Sequence, residues 1–259
     1  MPMIRPAVFI TGASSGLGAA LARHYAGTGA VLGLVGRRSE ALAALAESLG
    51  PGHRCYALDV RDREALHAAA HDFLQHTGQR IDVVIASAGI SAGTVTEHAE
   101  DFDVFKAIFD TNVLATVATF EPFIAPMRAI GRGRLVGIGS VAGVRGLPGA
   151  GAYSASKAAV ATYCESLRLE LAGQGIQVVA IAPGYIRTPM TAGNPYGMPF
   201  LTDADVFAKR AARAIARGVS YTIIPWQMGV VARIMKVLPD WLYDRAARNA
   251  PRKPRKGVR

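Results

Sequence analysis

The chain has 259 residues, 51% of them hydrophobic and 19% charged, which supplies a well-filled core and excludes a disordered or low-complexity protein. The formal net charge of +10 is uneven: Arg245, Arg248, Arg252, Lys253, Arg255, Lys256 and Arg259 close the chain with no acidic residue among them, leaving the body at only +3. A nearly neutral body with no finger, helix-turn-helix or RNP-like signature excludes a nucleic-acid reader. Cys55 and Cys164 without a CxxC pair, and an N-terminus with no signal-like segment, point to a reducing, cytoplasmic compartment.

Short β-branched runs alternate with Ala/Leu-rich amphipathic stretches. In chain order they are strand 7–10, a helix from Gly16, strand 31–35, helix 40–49, strand 54–58, helix 64–76 and strand 83–86. A long helical stretch 102–127, strand 134–138, helix 153–171, strand 178–181 and strand 221–224 follow. Strands so apolar are buried on both faces, so the pattern predicts one Rossmann-type, doubly wound α/β domain with a parallel sheet of about seven strands. The expected division is a catalytic domain over 1–225 and an amphipathic helical extension over 226–259. No apolar run reaches the ~18 residues of a spanning helix, the stretch after Ile223 being broken by Arg233 and Lys236.

Thr11-Gly12-Ala13-Ser14-Ser15-Gly16-Leu17-Gly18 follows the first strand and opens the first helix, where glycines let backbone approach a pyrophosphate at the helix N-terminus. At the end of the second strand stand Gly36-Arg37-Arg38. A small residue followed by arginine accommodates a 2′-phosphate where a carboxylate would hold a ribose hydroxyl, so the cofactor reads as NADP(H). The alternative is that either arginine is a solvated loop charge. Tyr153 and Lys157 lie four apart on one helix face. An ammonium beside a phenol favours the phenolate and lowers its pKa from ~10, which predicts a usable acid/base at Tyr153.

Taken together, the T-G-x-x-x-G-x-G loop, Asp59-Val60, Asn112, Ser140 thirteen residues before Tyr153, Lys157, and Pro183-Gly184 with Thr188 resemble the short-chain dehydrogenase/reductase family over about residues 8–224. The resemblance implies a nicotinamide dinucleotide and a homodimer or homotetramer. It implies that Ser140 bonds the substrate oxygen, Tyr153 transfers the proton, Lys157 holds the nicotinamide ribose and tunes Tyr153, and Asn112 supports a water relay behind Lys157. Gly12, Ser14, Ser15, Gly16, Leu17 and Gly18 then cradle the phosphates. Asp59 and Val60 lie along the adenine, and Pro183, Gly184, Ile186 and Thr188 hold the nicotinamide end. Where many members carry Asn-Asn-Ala-Gly, this chain has Ala86-Ser87-Ala88-Gly89, so both amides that anchor the loop by the adenosine ribose are missing; the Ser87 hydroxyl is the candidate replacement.

Residues 189–203 form a long loop of the kind that is usually functional, and Met190, Tyr196, Met198, Phe200 and Leu201 make it apolar. It reads as a lid over a hydrophobic ketone or secondary alcohol, the alternative being ordinary packing. Beyond the last strand, Val230, Val231, Ile234, Met235, Leu238, Trp241 and Leu242 share one arc, with Pro239 starting a new helix. That arc either packs on the protein or, with the basic tail, rests on an anionic bilayer. His67 and His71 lack a third ligand and read as surface histidines, no metal site is assigned, and Cys55 and Cys164 read as small core residues. The expected activity is an NADP(H)-dependent carbonyl reductase. A non-catalytic dinucleotide-binding regulator, a 3-oxoacyl thioester reductase and a peripheral membrane scaffold are the alternatives.

Overall fold

The computed structural model describes residues 5–194, 196–250 and 252–255. Lys256 and Arg259 of the basic tail, and Pro195 of the loop 189–203, lie outside the described residues. Strands β1 (Ala7–Thr11), β2 (Val31–Gly36), β3 (Arg54–Ala57) and β4 (Val83–Ala86) alternate with helices α1 (Gly16–Gly27), α2 (Ser39–Leu49) and α3 (Arg63–His76). Helices α4 (Asp101–Phe109) and α5 (Ala115–Ile130) are joined by a wide helical turn at Asp110–Leu114, and β5 (Gly133–Ile138), α6 (Gly151–Glu170) and β6 (Ile176–Pro183) come next. The two-residue strands β7 (Ile186–Arg187) and β8 (Thr202–Asp203) bracket the short α7 (Pro189–Ala192). The chain then runs through α8 (Ala204–Ala216), β9 (Tyr221–Ile224), α9 (Trp226–Val237) and α10 (Asp240–Ala247).

Seven strands form one all-parallel sheet in the order β3-β2-β1-β4-β5-β6-β9. The strand order reverses between β1 and β4, where Thr11 pairs with Ala86, and a parallel α/β sheet opens its ligand crevice at the carboxyl ends of the strands at such a reversal. Alternation along β1 feeds two cores. Phe9 joins Phe73, Phe123 and Leu135 on the α3/α5/α6 side, while Ile10 joins Leu21, Leu34 and Phe207 on the α1/α8 side. Phe9 sits 4.9 Å from Phe123 and 5.6 Å from Phe73, ring centre to ring centre. Truncating a ring in so filled a site costs about 3–5 kcal/mol.

Three expectations need correction. Cys55 is exposed, because β3 is the edge strand of the sheet. Cys164 is buried as expected, and burial pushes its thiol up to about 12. His67 is only partly exposed, its Nε2 lying 3.1 Å from the carbonyl of Ala118, while His71 is exposed as expected. That carbonyl is the one Pro122, four residues on, leaves without a helical N–H, so the imidazole replaces a donor the sequence removed. Finally, the continuous helix from Asp101 to Ile130 is by length and mean hydropathy apolar enough to cross a membrane, contrary to the expectation. Here its Ala118, Phe120, Phe123 and Met127 pack into the core beside the sheet.

Candidate active site

The loop between β1 and α1 is shaped by glycine. Gly12 has φ +70°, and a Cβ there would stand 2.7 Å from the Cα of Ala88, so no side chain fits between the loop and the end of β4. Gly18 lies against the Gly12 carbonyl with no room for a Cβ. Ser15, the N-cap of α1, makes no side-chain cap, which leaves first-turn N–H groups of the helix open to the cleft. Arg38 reaches back to bond the carbonyl and hydroxyl of Ser14 at 3.1 and 3.3 Å, whereas the neighbouring Arg37 is exposed at the cleft edge. Asp59 is clasped by Arg61 through Oδ1 and Oδ2, which holds its carboxyl below the usual carboxylate range.

The cleft above the carboxyl ends of the strands is lined by every residue that the sequence singled out for the cofactor and by Ser140, Tyr153 and Lys157, whereas of the lid side chains Met190, Tyr196, Met198, Phe200 and Leu201 it takes Met190 alone. Gly12, Ser14 to Gly18, Arg37, Arg38, Asp59, Val60, Ser87 to Gly89, Ser140, Tyr153, Lys157, Pro183, Gly184, Ile186 and Thr188 all face one space. Met190 and Thr191 of the loop 189–203 close its far side, and Ile90 and Thr111 join the wall unforeseen. Asn112 stands behind that wall, fully buried, in the wide turn between α4 and α5.

Ser140 caps the turn after β5, its hydroxyl accepting from the N–H of Ala142 at 3.1 Å. Tyr153 and Lys157 project from the first turns of α6. The Lys157 ammonium donates to the carbonyl of Ile138 at 2.9 Å and lies 5.9 Å from the Tyr153 ring centre. Burial lowers Lys157 to about 8. Burial also raises the Tyr153 phenol, with the Ser140 hydroxyl acting the other way. This corrects the expectation of a phenol lowered by the neighbouring ammonium: desolvation outweighs it, and Ser140, not Lys157, is the group that favours the phenolate. Among the described residues no three His, Cys, Asp or Glu side chains gather at metal-binding spacing.

The loop that lost its two amides is held by other means. Gly12 backs directly onto Ala88, the N–H of Ala88 reaches the Thr11 hydroxyl at 3.4 Å, and Asn112 clamps the backbone of Ile90. The Ser87 hydroxyl makes no side-chain hydrogen bond among the described residues.

The basic C-terminal segment is not a free tail over its described residues. Arg145 fixes the turn between α9 and α10 by bonding the carbonyls of Met235 and Leu238 and the carboxylate of Asp240. Beyond α10 the segment 252–255 lies on the body: the Gly93 N–H donates to the Pro254 carbonyl at 3.1 Å, and Arg255 forks onto both oxygens of the buried Asp101 and onto Glu100. Lys253 thereby reaches Ser91 and the neighbourhood of Tyr153. Sequence gave no signal for this, since a run of Lys and Arg reads as solvated charge.

A parallel sheet with a glycine turn at its strand-order reversal, opening beside a Ser, Tyr and Lys group, defines a Rossmann-type dinucleotide-dependent oxidoreductase. The family model described as short chain dehydrogenase matches residues 6–196. An uncharacterized oxidoreductase of Myxococcus xanthus (strain DK1622) is 39% identical, covering 92% of this chain and 95% of that one, and dehydrogenase/reductase SDR family member 7B of Bos taurus is 33% identical over 96% and 82%. A crystal structure of a short-chain dehydrogenase from Streptomyces avermitilis superposes with a TM-score of 0.80 at 26% identity, covering 95% of this chain and 99% of that one. The chain belongs to the short-chain dehydrogenase/reductase family and is an oxidoreductase that uses a nicotinamide cofactor.

Proposed function

We propose that the protein is an NADP(H)-dependent reductase of hydrophobic ketones, or dehydrogenase of the matching secondary alcohols. The observation that carries this reading is the convergence of Ser140, Tyr153 and Lys157 on the cleft that begins at the Gly12–Gly18 loop. The dinucleotide fits the cleft residues: Gly12, Gly16 and Gly18 leave room for a pyrophosphate on the open N-terminus of α1, and at the end of β2 Gly36 with Arg37 sets a cation and no carboxylate, the Asp59 carboxylate nearby being held by Arg61. When bound, the cofactor supplies or takes the hydride.

The chain's own groups handle the oxygen. The Ser140 hydroxyl donates to the carbonyl oxygen and orients it, and the Tyr153 phenol gives that oxygen a proton as alkoxide character develops. Lys157, charged on its buried side of the cleft, holds the cofactor ribose, and the Ser140 hydroxyl favours the phenolate left on Tyr153. In the oxidative direction the same groups return the proton. Met190, which lines the cleft, supplies an apolar cover for the substrate body, and Phe200, exposed farther along the loop 189–203, extends it, with Tyr196 set edge-on to Tyr185 at 6.4 Å.

The direct test is cofactor oxidation against ketones of increasing chain length with NADPH and NADH, for wild type and Tyr153→Phe. Each added buried methylene is expected to gain up to ~0.8 kcal/mol until the pocket is full. Tyr153→Phe is expected to lose at least ~10²-fold in kcat with dinucleotide binding retained. Near-normal turnover in that variant would remove Tyr153 from its role, and preference for small polar sugars over every apolar ketone would overturn the substrate class.

A second reading concerns location and is supported by one surface. Trp226, Val230, Ile234, Val237 and Trp241 form an exposed stripe along α9 and α10, while Val231 and Met235 turn inward onto Met228 and Ala232. With exposed Arg233, Lys236, Arg245 and Arg248 nearby, this stripe suits reversible contact of the enzyme with an anionic bilayer.

A further inference from the structure

Among the described residues, Lys253 is a cation that no carboxylate answers. Its ammonium donates to the Ser91 hydroxyl at 2.8 Å and lies 5.9 Å from the Tyr153 ring centre, the same distance as Lys157. The contacts on either side of it are specific. Arg252 packs its stem on Gly149, the Pro254 carbonyl accepts from Gly93, and a Cβ at Gly93 would run into the Lys253 carbonyl. Arg255 locks the end of the segment onto Asp101, whose other partner is the N–H of Val95. The strap is therefore anchored by groups that have no need of Lys253, and the lysine is the one side chain it aims toward the proton-transfer tyrosine.

The charge balance then asks for a partner. Arg255 is neutralised by Asp101 and Glu100, whereas among the described residues Lys253 has the Ser91 hydroxyl and the face of the Tyr153 ring but no carboxylate, and burial lowers its pKa. A part-buried ammonium without a counter-ion is costly to keep, and the cost is recovered when an anion binds beside it. Tyr153 lines the cleft and Lys253 stands beyond that lining, against the Tyr153 ring, so an anion that reaches Lys253 from the cleft is one carried by a substrate whose carbonyl lies at Tyr153.

We propose that Lys253 is a substrate-specificity residue, and that the protein acts on carbonyl compounds bearing an anionic group, a carboxylate, sulfonate or phosphate, a short chain away from the carbonyl. This rests on the reading of Tyr153 as proton donor and narrows the substrate given above to an amphiphile, with its apolar body under Met190 and Phe200 and its anion at Lys253. Ser91 positions the ammonium, and Arg255 positions the strap.

The test compares kcat/KM for oxo carboxylates of varied spacing with the ketones lacking the carboxylate, in full-length wild type, Lys253→Met and Lys253→Arg, with NADPH. The measured quantity is the ratio of oxo acid to ketone. It is expected to exceed one in wild type, to fall about 10–100-fold in Lys253→Met mainly through KM, and to be largely restored in Lys253→Arg, as for loss and return of a charge-assisted hydrogen bond. In wild type the ratio should also fall as salt rises, a reading that needs no variant. Arg255→Ala, which unlocks the strap, should lower the ratio in the same direction. Turnover with the same ratio in wild type and Lys253→Met, or a wild-type preference for the neutral ketone at every spacing, overturns the role of Lys253 and leaves the reductase reading standing. Absence of turnover on every ketone and oxo acid overturns both.

Discussion

Asn112 and Ile90 are joined by two hydrogen bonds running in opposite directions: the Asn112 Oδ1 accepts from the Ile90 N–H at 2.9 Å, and its Nδ2 donates to the Ile90 carbonyl at 3.1 Å. Nδ2 also donates to the Ser156 hydroxyl at 2.9 Å, which in turn donates to the Tyr153 carbonyl at 2.8 Å. One carboxamide thus ties the loop after β4 to the helix bearing Tyr153. A wide helical turn at Asp110–Leu114 presents it there, and such turns recur at functional sites.

Asn112→Ala leaves the Ile90 N–H and carbonyl and the Ser156 hydroxyl short of partners in a buried place. The expected loss is about 3 kcal/mol of stability, measured by urea unfolding, since each unsatisfied buried group costs about 1–3 kcal/mol and the relaxed loop recovers part. Dinucleotide affinity should fall as well, because Ser87 to Ile90 line the cleft. Asn112→Asp keeps the acceptor for Ile90 and loses both donors, so intermediate stability is expected. A stability change below 1 kcal/mol in Asn112→Ala, read with the cited scale, would show the clamp to be dispensable.

Cofactor preference divides the two arginines after β2. Arg38 is committed to Ser14, and Arg37 stands exposed at the cleft edge. A Cβ at Gly36 would meet the Ser14 side chain at 3.1 Å, so a carboxylate at that position has no easy room. Wild type is expected to bind NADPH more tightly than NADH. Arg37→Ala should weaken NADPH by about tenfold and change NADH little, as for loss of one charge-assisted contact. Fluorescence titration of both cofactors decides it, and equal wild-type affinities would contradict the reading.

What the sequence made legible and what it hid differ in range. The glycine turn and the Tyr153-Lys157 pair are local patterns whose spacing carries their geometry, and the continuous apolar run of β1 predicts burial on both faces of the sheet. The exposure of Cys55 and the partial burial of His67 are not legible in the sequence, because they depend on which strand lies at the sheet edge and which carbonyl a proline on another helix frees. Asn112 joins residues 22 positions away, and Lys253 joins Ser91 across 162. No periodicity reports contacts of that separation. The direction of the Tyr153 shift is hidden for a related reason, since spacing shows a neighbouring charge but not the depth of burial that outweighs it.

Burial of Lys157 makes a pH prediction with a definite sign. Its folded pKa is about 8 against an ordinary 10.5. Below pH 8 both folded and unfolded chains hold the proton, and the folded state bears the full cost of the buried charge. Between about 8 and 10.5 the unfolded chain holds more protons, so stability contributed by this group rises with pH. Wild type should therefore gain on Lys157→Met by up to about 3 kcal/mol between pH 7 and pH 10.5. Urea unfolding of both proteins across that range checks it. Parallel curves would mean that the folded environment does not disfavour the ammonium.

The last prediction uses the only two tryptophans of the chain, Trp226 and Trp241, which are 70% and 71% exposed on the stripe proposed to meet a bilayer. Each basic residue close to an anionic membrane surface contributes about 1 kcal/mol, so Arg233, Lys236, Arg245 and Arg248 together suffice for weak, salt-sensitive attachment. Insertion of the indoles into the interface should shift tryptophan emission to the blue with anionic vesicles at low salt. The shift should be weaker with neutral vesicles and should reverse at high salt. Cutting the chain after Asp244 is a poor control, because it also removes Lys253 and the Arg255 anchor. Ile234→Asp leaves the strap intact and places a carboxylate mid-stripe, so it should abolish the shift while preserving turnover of a water-soluble substrate. Emission unchanged by anionic vesicles at low salt would leave the stripe as a contact surface for protein.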